Sequence, residues 1–298
     1  MNRPHILVLG ADGQVGFQLL RALAPLGEVF GSRLDGATGL KIDVCDHAAL
    51  EGAIVALRPR LIVNAVAYTA VDRAEEEPGL AEAINATAVG VLGKLAARYG
   101  ASVVHYSTDY VYFGSMGRPW REDDPTAPAS VYGRSKLAGD LALLDSGAES
   151  LILRTSWVYD WRGRNFLLTM RRLLAERDEV RVVSDQIGAP TWARMIAEGT
   201  ALALAQTLAD GFRFGDRAGV YHLTCGGETS WHGFASAIRD LTGAGCKVTP
   251  ITTAEYPLPA PRPADSRLDN GKLEAAFGVC LPDWEQALRQ CLEEADPA

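Results

Sequence analysis

Short apolar runs alternate with stretches of helical spacing along the first two thirds of the chain. Runs typical of buried strands occur at residues 6–9, 28–31, 61–64, 102–106, 151–153 and 180–183. Between them, apolar positions three and four apart predict helices at residues 14–24, 48–57, 79–99, 131–144 and 166–177. This order is typical of βαβ units, whose strands form a parallel sheet covered by helices on both faces.

The pattern changes after about residue 190. An Ala/Leu-rich helix at 195–208 is followed by a short strand at 220–223, a helix at 231–241 and a Pro-rich stretch at 250–263. We therefore predict an α/β fold: a Rossmann-type doubly wound parallel sheet with a smaller mixed C-terminal substrate lobe. Residues 1–160, with about 178–210, are assigned to the dinucleotide-binding domain. The interleaved substrate lobe takes mainly 161–177 and 211–298.

Composition narrows the class of protein. The 298 residues include 29 basic and 37 acidic side chains, and the formal net charge of −8 argues against a nucleic-acid-binding surface. The five cysteines form no Cys-x-x-Cys pair, which favours reduced structural thiols. The first apolar run is too short for a signal peptide or a membrane span, so we expect a cytoplasmic protein without a membrane partner. No carboxylate cluster has obvious ligand spacing, so we expect no dedicated metal site.

A glycine-rich loop directly follows the first predicted strand. It reads Gly10-Ala11-Asp12-Gly13-Gln14-Val15-Gly16 and opens the first predicted helix. Gly10 can take a tight turn, Gly13 lets the backbone approach a pyrophosphate, and Gly16 lets the helix pack closely on the strand. Such triplets also serve as bare turns, but the strand–loop–helix context favours a dinucleotide site.

The end of the second predicted strand indicates which dinucleotide binds. Ser32-Arg33 stand where many dinucleotide folds carry an acidic residue for the adenosine ribose. Arginine accepts a 2′-phosphate, so the sequence favours NADPH slightly over NADH, although Asp35 could turn in and restore NADH binding. Asp43 and Val44 could flank the adenine. Alternatively, Asp43 is the N-cap of the helix that follows.

Tyr132 and Lys136 stand four residues apart at the start of a predicted helix. That spacing places them on one helix face, where the ammonium would lower the pKa of the phenol and make it a competent proton donor to a carbonyl. Taken alone, such a pair is more often two surface side chains. Upstream, Ser107-Thr108 end a predicted strand, at the edge where open parallel sheets bind ligands. Either hydroxyl could bind a substrate oxygen.

These segments together resemble the extended short-chain dehydrogenase/reductases and, among them, the dTDP-4-dehydrorhamnose reductases. The resemblance extends over nearly the whole chain through further stretches, which are Asn64-Ala65-Val66-Ala67-Tyr68-Thr69-Ala70-Val71-Asp72, Arg154-Thr155-Ser156-Trp157, Asp185-Gln186-Ile187-Gly188-Ala189-Pro190-Thr191, Arg262-Pro263 and Leu281-Pro282-Asp283-Trp284. The resemblance implies NAD(P)H-dependent reduction of the C4 keto group of dTDP-4-dehydro-L-rhamnose. It also implies that Ala65, Ala67 and Thr69 line the cofactor site.

The resemblance also implies roles for individual residues. Tyr132 would donate the proton, Lys136 would tune the phenol and hold the nicotinamide ribose, and Thr108 would polarise the carbonyl. The substrate side would be formed by Asp109, Tyr110 and Trp157, although Trp157 could be a core residue. The dTDP diphosphate needs local cations in an acidic protein, and the candidates are Arg262 and Arg267. Either arginine could instead be ordinary surface charge.

One position departs from the family pattern, and two other functions stay open. Phe113 replaces an aspartate of the family, which puts the shape of the following loop, 115–128, in doubt. One alternative is another NDP-sugar reductase or epimerase, or a dehydratase, although the acid/base pair of a dehydratase is absent after Thr108. The other is a nonenzymatic nucleotide-binding regulatory subunit. We expect a monomer or a homodimer.

Overall fold

The computed structural model describes residues 3–34, 36 and 39–295. Its strands, in chain order, are β1 (His5–Leu9), β2 (Glu28–Arg33), β3 (Leu40–Lys41), β4 (Leu61–Asn64), β5 (Ser102–Thr108), β6 (Ser150–Thr155), β7 (Val158–Tyr159), β8 (Glu179–Val183), β9 (Ile187–Gly188), β10 (Thr191–Trp192), β11 (Gly219–His222), β12 (Thr229–Ser230) and β13 (Lys247–Ile251). The six strands up to residue 155 all belong to the main sheet, whereas four of the seven later strands have only two residues.

The described helices follow the strands in the alternation that the sequence predicts. They are α1 (Gln14–Ala22), α2 (His47–Leu57), α3 (Val71–Ala74), α4 (Pro78–Glu82), α5 (Ala88–Tyr99), α6 (Val131–Leu144), α7 (Phe166–Glu176), α8 (Ala193–Ala205), α9 (Trp231–Thr242), α10 (Gly271–Phe277) and α11 (Trp284–Ala295). A π-helical turn, Ala83–Thr87, joins α4 to α5. Side-chain caps begin several of them: Ser130 accepts from the Gly133 N–H at 3.0 Å at the start of α6.

Seven parallel strands form the main sheet in the order β11-β6-β5-β4-β1-β2-β3. Alternate residues of each strand enter two separate cores: Ile6 and Val8 pack on one face, and Leu7 and Leu9 on the other. Because the central strands are covered on both faces, they read as continuous apolar runs. This is the predicted Rossmann-type doubly wound sheet.

Two strands lie in a different sheet from the one predicted. The strand at 219–222, which the sequence placed in the smaller lobe, pairs with β6 and is an edge of the main sheet. The strand at 179–183, expected among the dinucleotide-domain strands, pairs instead with β13 in a separate two-stranded parallel sheet. Its residues alternate between exposed and buried, which is typical of a strand with one open face.

The helical stretch from residue 78 to residue 99 is long and apolar enough to cross a bilayer on length and composition alone. Half of its most apolar window is buried within the fold, where α5 contributes Leu92 and Ala96 to the core. Burial of this kind is typical of a core helix in a globular domain.

Candidate active site

The glycine loop after β1 has the tight conformation that its sequence predicts. Gly10 has a left-handed backbone with φ of +77°, and the Gly13 N–H donates to the Gly10 carbonyl at 3.1 Å. A Cβ on Gly16 would lie 2.0 Å from that same carbonyl oxygen, so α1 can pack against the loop only with glycine there. The loop therefore presents backbone and the start of α1 to the adjacent cavity.

A cavity of about 370 Å³ lies over this loop. The sequence-predicted residues that line it are Gly10, Gly13, Ser32, Arg33, Asp43, Val44, Ala65 and Ala67. Five further residues line the cavity that the sequence did not predict: Asp12, Leu34, Ile42, Val66 and Ile84. Four of these adjoin predicted residues, whereas Ile84 comes from the π-helical turn and had no local signal.

Six predicted cofactor residues do not line this cavity: Tyr132 and Lys136, which are described below, and Gln14, Val15, Gly16 and Thr69. Val15 packs against the core, Gly16 lies beneath the loop, and Thr69 is exposed. Asn165 Nδ2 donates a hydrogen bond to the Gln14 side-chain oxygen Oε1 at 2.7 Å, which connects α1 to the start of α7. Asp35 lies outside the described residues.

Arg33, the last residue of β2, places a cation in the lining of this cavity. Ser32 is buried, and Arg33 has a buried Nε atom without a hydrogen-bond partner in the described structure. The alternative reading of Asp43 as a helix cap is wrong, because Asp46 caps α2 by accepting from Ala49 N–H at 3.0 Å. Asp43 instead accepts from the Cys45 N–H at 2.9 Å.

Tyr132 and Thr108 come together where α6 begins over the end of β5. Both side chains are buried, and the Thr108 hydroxyl lies close enough to the Tyr132 phenol to act on its pKa. Burial raises that pKa, and the interaction with Thr108 opposes the rise. The prediction that this pKa is lowered is wrong for this structure, because burial outweighs the opposing effects and the Lys136 ammonium contacts other groups.

Lys136 is fully buried one helical turn after Tyr132. Its Nζ donates to the Tyr106 carbonyl at 2.6 Å and lies 3.1 Å from His105 Nε2. Burial lowers the pKa of Lys136 to about 8, although the carboxylate of Asp140 acts in the opposite sense. Lys136 therefore shares the face of Tyr132, while its ammonium is bound to β5.

The two hydroxyls at the end of β5 have different partners. Ser107 donates to Asp140 Oδ2 at 2.8 Å, which leaves Thr108 as the hydroxyl beside the phenol. Thr108 Oγ1 donates to Asp109 Oδ1 at 3.1 Å and accepts from the Tyr110 N–H at 3.2 Å. Asp109 is fully buried, and this burial raises its pKa to about 6. Asp109 is thus a buried partner of Thr108 and does not line either cavity.

A second cavity, of about 390 Å³, is connected to Tyr132 through Tyr110, whereas Thr108, Tyr132 and Lys136 themselves do not line it. Tyr110 lines it and packs edge-to-face on the Tyr132 ring, with 5.4 Å between ring centroids. The rest of the lining is mostly apolar and aromatic: Phe166, Met170, Arg181, Val182, Val183, Gln186, Trp231, Thr253, Tyr256, Pro257, Leu258, Ala260, Pro261 and Arg262. The aromatic and proline residues just before Arg262 were a sequence signal for part of this wall.

Arg262 lies at the edge of this second cavity and is already paired. Its Nη2 donates to Asp72 Oδ2 at 2.7 Å, and the Ala260 N–H donates to Asp72 Oδ1 at 3.2 Å. Asp72 belongs to α3, so one carboxylate attaches the Pro-rich segment to the other side of the cleft. Arg267, the other candidate cation, is paired with Asp265 and Glu228.

Trp157 does not line the second cavity but supports a residue that does. Its ring stacks on Trp231 with 3.7 Å between centroids and an interplanar angle of 11°. The Trp157 backbone has φ of +48°, a strained value for a residue with a side chain. A Cβ on Gly188 would lie 2.7 Å from the Trp157 ring, so glycine there makes room for the stack.

The remaining predictions concern Phe113 and the loop after it, metal binding and the cysteine thiols. Phe113 is 45% exposed and lines neither cavity. The described ranges contain no group of three or more His, Cys, Asp or Glu residues that could hold a metal ion. All five cysteines are free.

Comparisons with known proteins identify relatives of the whole chain. Residues 4–296 match the family model described as the RmlD substrate binding domain. A dTDP-4-dehydrorhamnose reductase of Burkholderia thailandensis is 47% identical over 297 residues, covering 97% of this chain and 98% of that protein. A crystal structure of a dTDP-4-dehydrorhamnose reductase from Clostridium acetobutylicum is 35% identical with a TM-score of 0.89, covering 97% and 99%. One from Bacillus anthracis, in complex with NADP, is 31% identical with a TM-score of 0.89, covering 99% and 100%.

Proposed function

Because the chain belongs to the dTDP-4-dehydrorhamnose reductase family, we propose that it reduces the C4 keto group of dTDP-4-dehydro-L-rhamnose to give dTDP-L-rhamnose. The carrying observation is the contact between the Tyr132 phenol and the Thr108 hydroxyl, with Lys136 one turn further along α6. This contact lies beside the aromatic cavity and one strand away from β4, whose following residues line the glycine-loop cavity.

The glycine-loop cavity fits a dinucleotide. Gly10 and Gly16 leave no space for side chains where the loop meets α1, and the helix N-terminus suits an anionic pyrophosphate. Arg33 has a buried guanidinium nitrogen with no partner among the described residues, which supports NADPH slightly over NADH because a 2′-phosphate needs a cation there. When bound, the reduced nicotinamide supplies the hydride for the ketone carbon.

Tyr132 is the proton donor in this proposal. Its raised pKa keeps the phenol protonated at neutral pH, as a group must be before it can donate to the C4 oxygen of the sugar. Thr108 donates a hydrogen bond to the same oxygen after turning from Asp109, which polarises the carbonyl. Lys136 stabilises the phenolate that Tyr132 leaves and holds the nicotinamide ribose.

The aromatic cavity is assigned to the dTDP-sugar. Its apolar walls suit the base, Tyr110 is positioned to flank the sugar, and Trp157 acts through Trp231. Arg262 binds the diphosphate, in exchange for or in addition to its bond with Asp72. We place Asp109 with the substrate site only through its bond to Thr108.

The remaining parts of the proposal concern organisation. The glycine-loop cavity is lined by residues 10–84 and the aromatic cavity by Tyr110 and residues 166–262, which supports separate dinucleotide and substrate regions. We propose a cytoplasmic monomer or homodimer that works without nucleic acid or a membrane. Light scattering of the purified protein at several concentrations measures its mass and tests the oligomeric state.

The activity test is direct. Purified protein is mixed with dTDP-4-dehydro-L-rhamnose and either NADPH or NADH, and the absorbance of the reduced nicotinamide is followed. We expect oxidation of the cofactor and, with C4-deuterated cofactor, deuterium at sugar C4. A UDP-linked 4-keto sugar is the matched control for the base. Cofactor binding without oxidation would favour a nonenzymatic subunit, and faster turnover of the UDP sugar would favour another NDP-sugar reductase.

A further inference from the structure

Helix α6 carries a third ionisable group at the spacing of the proposed catalytic pair. Tyr132, Lys136 and Asp140 follow one another at four-residue intervals, so all three side chains lie on one face of the helix. All three are buried, and Asp140 has no exposed surface. A carboxylate is rarely buried without a partner, so its surroundings decide what it does.

The two oxygens of Asp140 have different surroundings. Oδ2 accepts from the Ser107 hydroxyl at 2.8 Å and from Arg154 Nε at 3.4 Å. Oδ1 is buried and has no hydrogen-bond partner within the described ranges. That free oxygen lies 4.0 Å from His105 Nε2, and the same imidazole nitrogen lies 3.1 Å from Lys136 Nζ. The unpartnered oxygen is therefore directed toward the groups that hold the ammonium.

The His105 imidazole, which lies between Asp140 and Lys136, is uncharged. Burial and the neighbouring Lys136 lower the pKa of His105 well below its ordinary value, so the ring is neutral at working pH. Its Nδ1 lies 3.1 Å from the Asn64 side-chain nitrogen. His105 thus supplies contact and orientation at the end of β5, and Asp140 supplies the negative charge.

Asp140 supplies the negative charge beside the two buried cations of this cluster, Lys136 and Arg154. The ionisable groups around Lys136 are Tyr132 and Asp140 from its own helix, His105 from β5 and Arg154 from β6. The 109–111 turn adds Asp109, which acts on Tyr132. Lys136 and Arg154 are two cations, and Asp140 is the carboxylate that contacts Arg154 and counters the effect of burial on Lys136.

We propose that Asp140 is a positioning residue that keeps the ammonium of Lys136 charged, and aligned on the helix face where Tyr132 reacts. The proposal rests on the proposed function of Tyr132 and Lys136, and adds a residue that touches neither cavity. Its role is to supply the negative charge without which burial would favour a neutral lysine. A neutral amine would stabilise the phenolate of Tyr132 far less than an ammonium does.

The test is the pH profile of kcat/KM for the wild type and for Asp140→Asn, measured with the dTDP-sugar and saturating NADPH. In the wild type, activity falls as pH rises through the pKa of Lys136, about 8. Loss of a nearby opposite charge moves this descending limb to lower pH by about one unit, which costs roughly fivefold in rate at pH 8. Asp140→Glu keeps the negative charge, so we expect its descending limb to return to the pH of the wild type.

Ser107→Ala is the matched control, because it removes a hydrogen bond from Asp140 without changing any charge. We expect its descending limb to stay in place. If Asp140→Asn lowers kcat equally at all pH values and leaves the limb in place, Asp140 is merely structural and this proposal is wrong. If the wild type itself does not oxidise NADPH, the proposed function fails instead.

A second variant covers the case in which Asp140→Asn does not fold. If the uncompensated ammonium causes that failure, Lys136→Met in the same chain restores a cooperative thermal transition, measured by circular dichroism. If the double variant stays unfolded, the loss comes from the Arg154 contact, and the assigned role of Asp140 is overturned.

Discussion

Replacing Tyr132 with phenylalanine removes the proposed proton donor and almost nothing else. The ring that packs edge-to-face on Tyr110 is retained, so the aromatic contact persists. The lost structural interaction is at most one hydrogen bond, with Thr108, and contributes no more than about 1 kcal/mol to folding. For a chain of this size such a loss lowers Tm by about 2 °C, which leaves the variant fully folded at assay temperature.

The catalytic cost of Tyr132→Phe is much larger than its structural cost. A positioned general acid contributes about a hundredfold to ten-thousandfold in rate. At about 1.4 kcal/mol for each factor of ten, that range corresponds to roughly 3–5 kcal/mol of transition-state stabilisation. Because the phenol acts mainly after substrate is bound, we expect kcat to fall by this factor while the Kd for NADPH stays within about threefold.

The assay follows oxidation of the reduced nicotinamide under saturating substrate, and cofactor binding is titrated separately by fluorescence. Tyr221→Phe is the matched control, because its phenol donates to the Arg217 carbonyl at 2.8 Å on the edge strand, away from both cavities. It loses the same kind of hydrogen bond and keeps full kcat. A Tyr132→Phe variant with kcat within tenfold of the wild type would remove the phenol from its assigned role.

Three further predictions concern single charged residues. Arg33→Ala raises KM for NADPH by about tenfold to a hundredfold and leaves KM for NADH unchanged, as a cofactor comparison would measure. Arg262→Ala raises KM for the nucleotide sugar by about tenfold or more with little change in kcat, whereas Arg267→Ala leaves both unchanged. The pKa of Asp109 is raised to about 6, so its ionisation disfavours folding at pH 7, and that cost disappears as pH falls through 6 toward 4. Asp109→Asn therefore increases the free energy of unfolding at pH 7 by up to about 3 kcal/mol, which is measured as a higher Tm. The difference from the wild type shrinks at pH 4.

The central sheet could be predicted because its sequence signal is local. The strands at 61–64 and 102–108 are buried on both faces and carry apolar runs, and each is followed by a helix of matching spacing. The pairing of distant strands had no such signal. The strand at 219–222 joins β6 across more than sixty intervening residues, and 179–183 pairs with the equally distant 247–251. Local pattern identifies a strand but does not select its partner.

The site was predictable to the extent that chemistry and spacing define it. The glycine loop, Thr108, Tyr132 and Lys136 were selected because each residue type suits one step and each stands at a strand end or helix start. The ion pair of Arg262 with Asp72 was not predictable, because it joins segments 190 residues apart. The stack of Trp157 on Trp231 is likewise set by tertiary packing, and it moves Trp157 behind the cavity wall.

The wrong prediction for the pKa of Tyr132 clarifies how the pair would work. Four-residue spacing predicts a shared helix face, but the sign of a pKa shift depends on burial and on where the ammonium points. Here burial raises the pKa of the phenol, and Lys136 is bound to Tyr106 and His105. Ketone reduction starts from the protonated phenol, so a raised pKa preserves the form that donates. A charged Lys136 becomes important only as the proton leaves, when phenolate forms beside it. Burial therefore favours the phenol, and the ammonium offsets part of that preference when the phenolate forms.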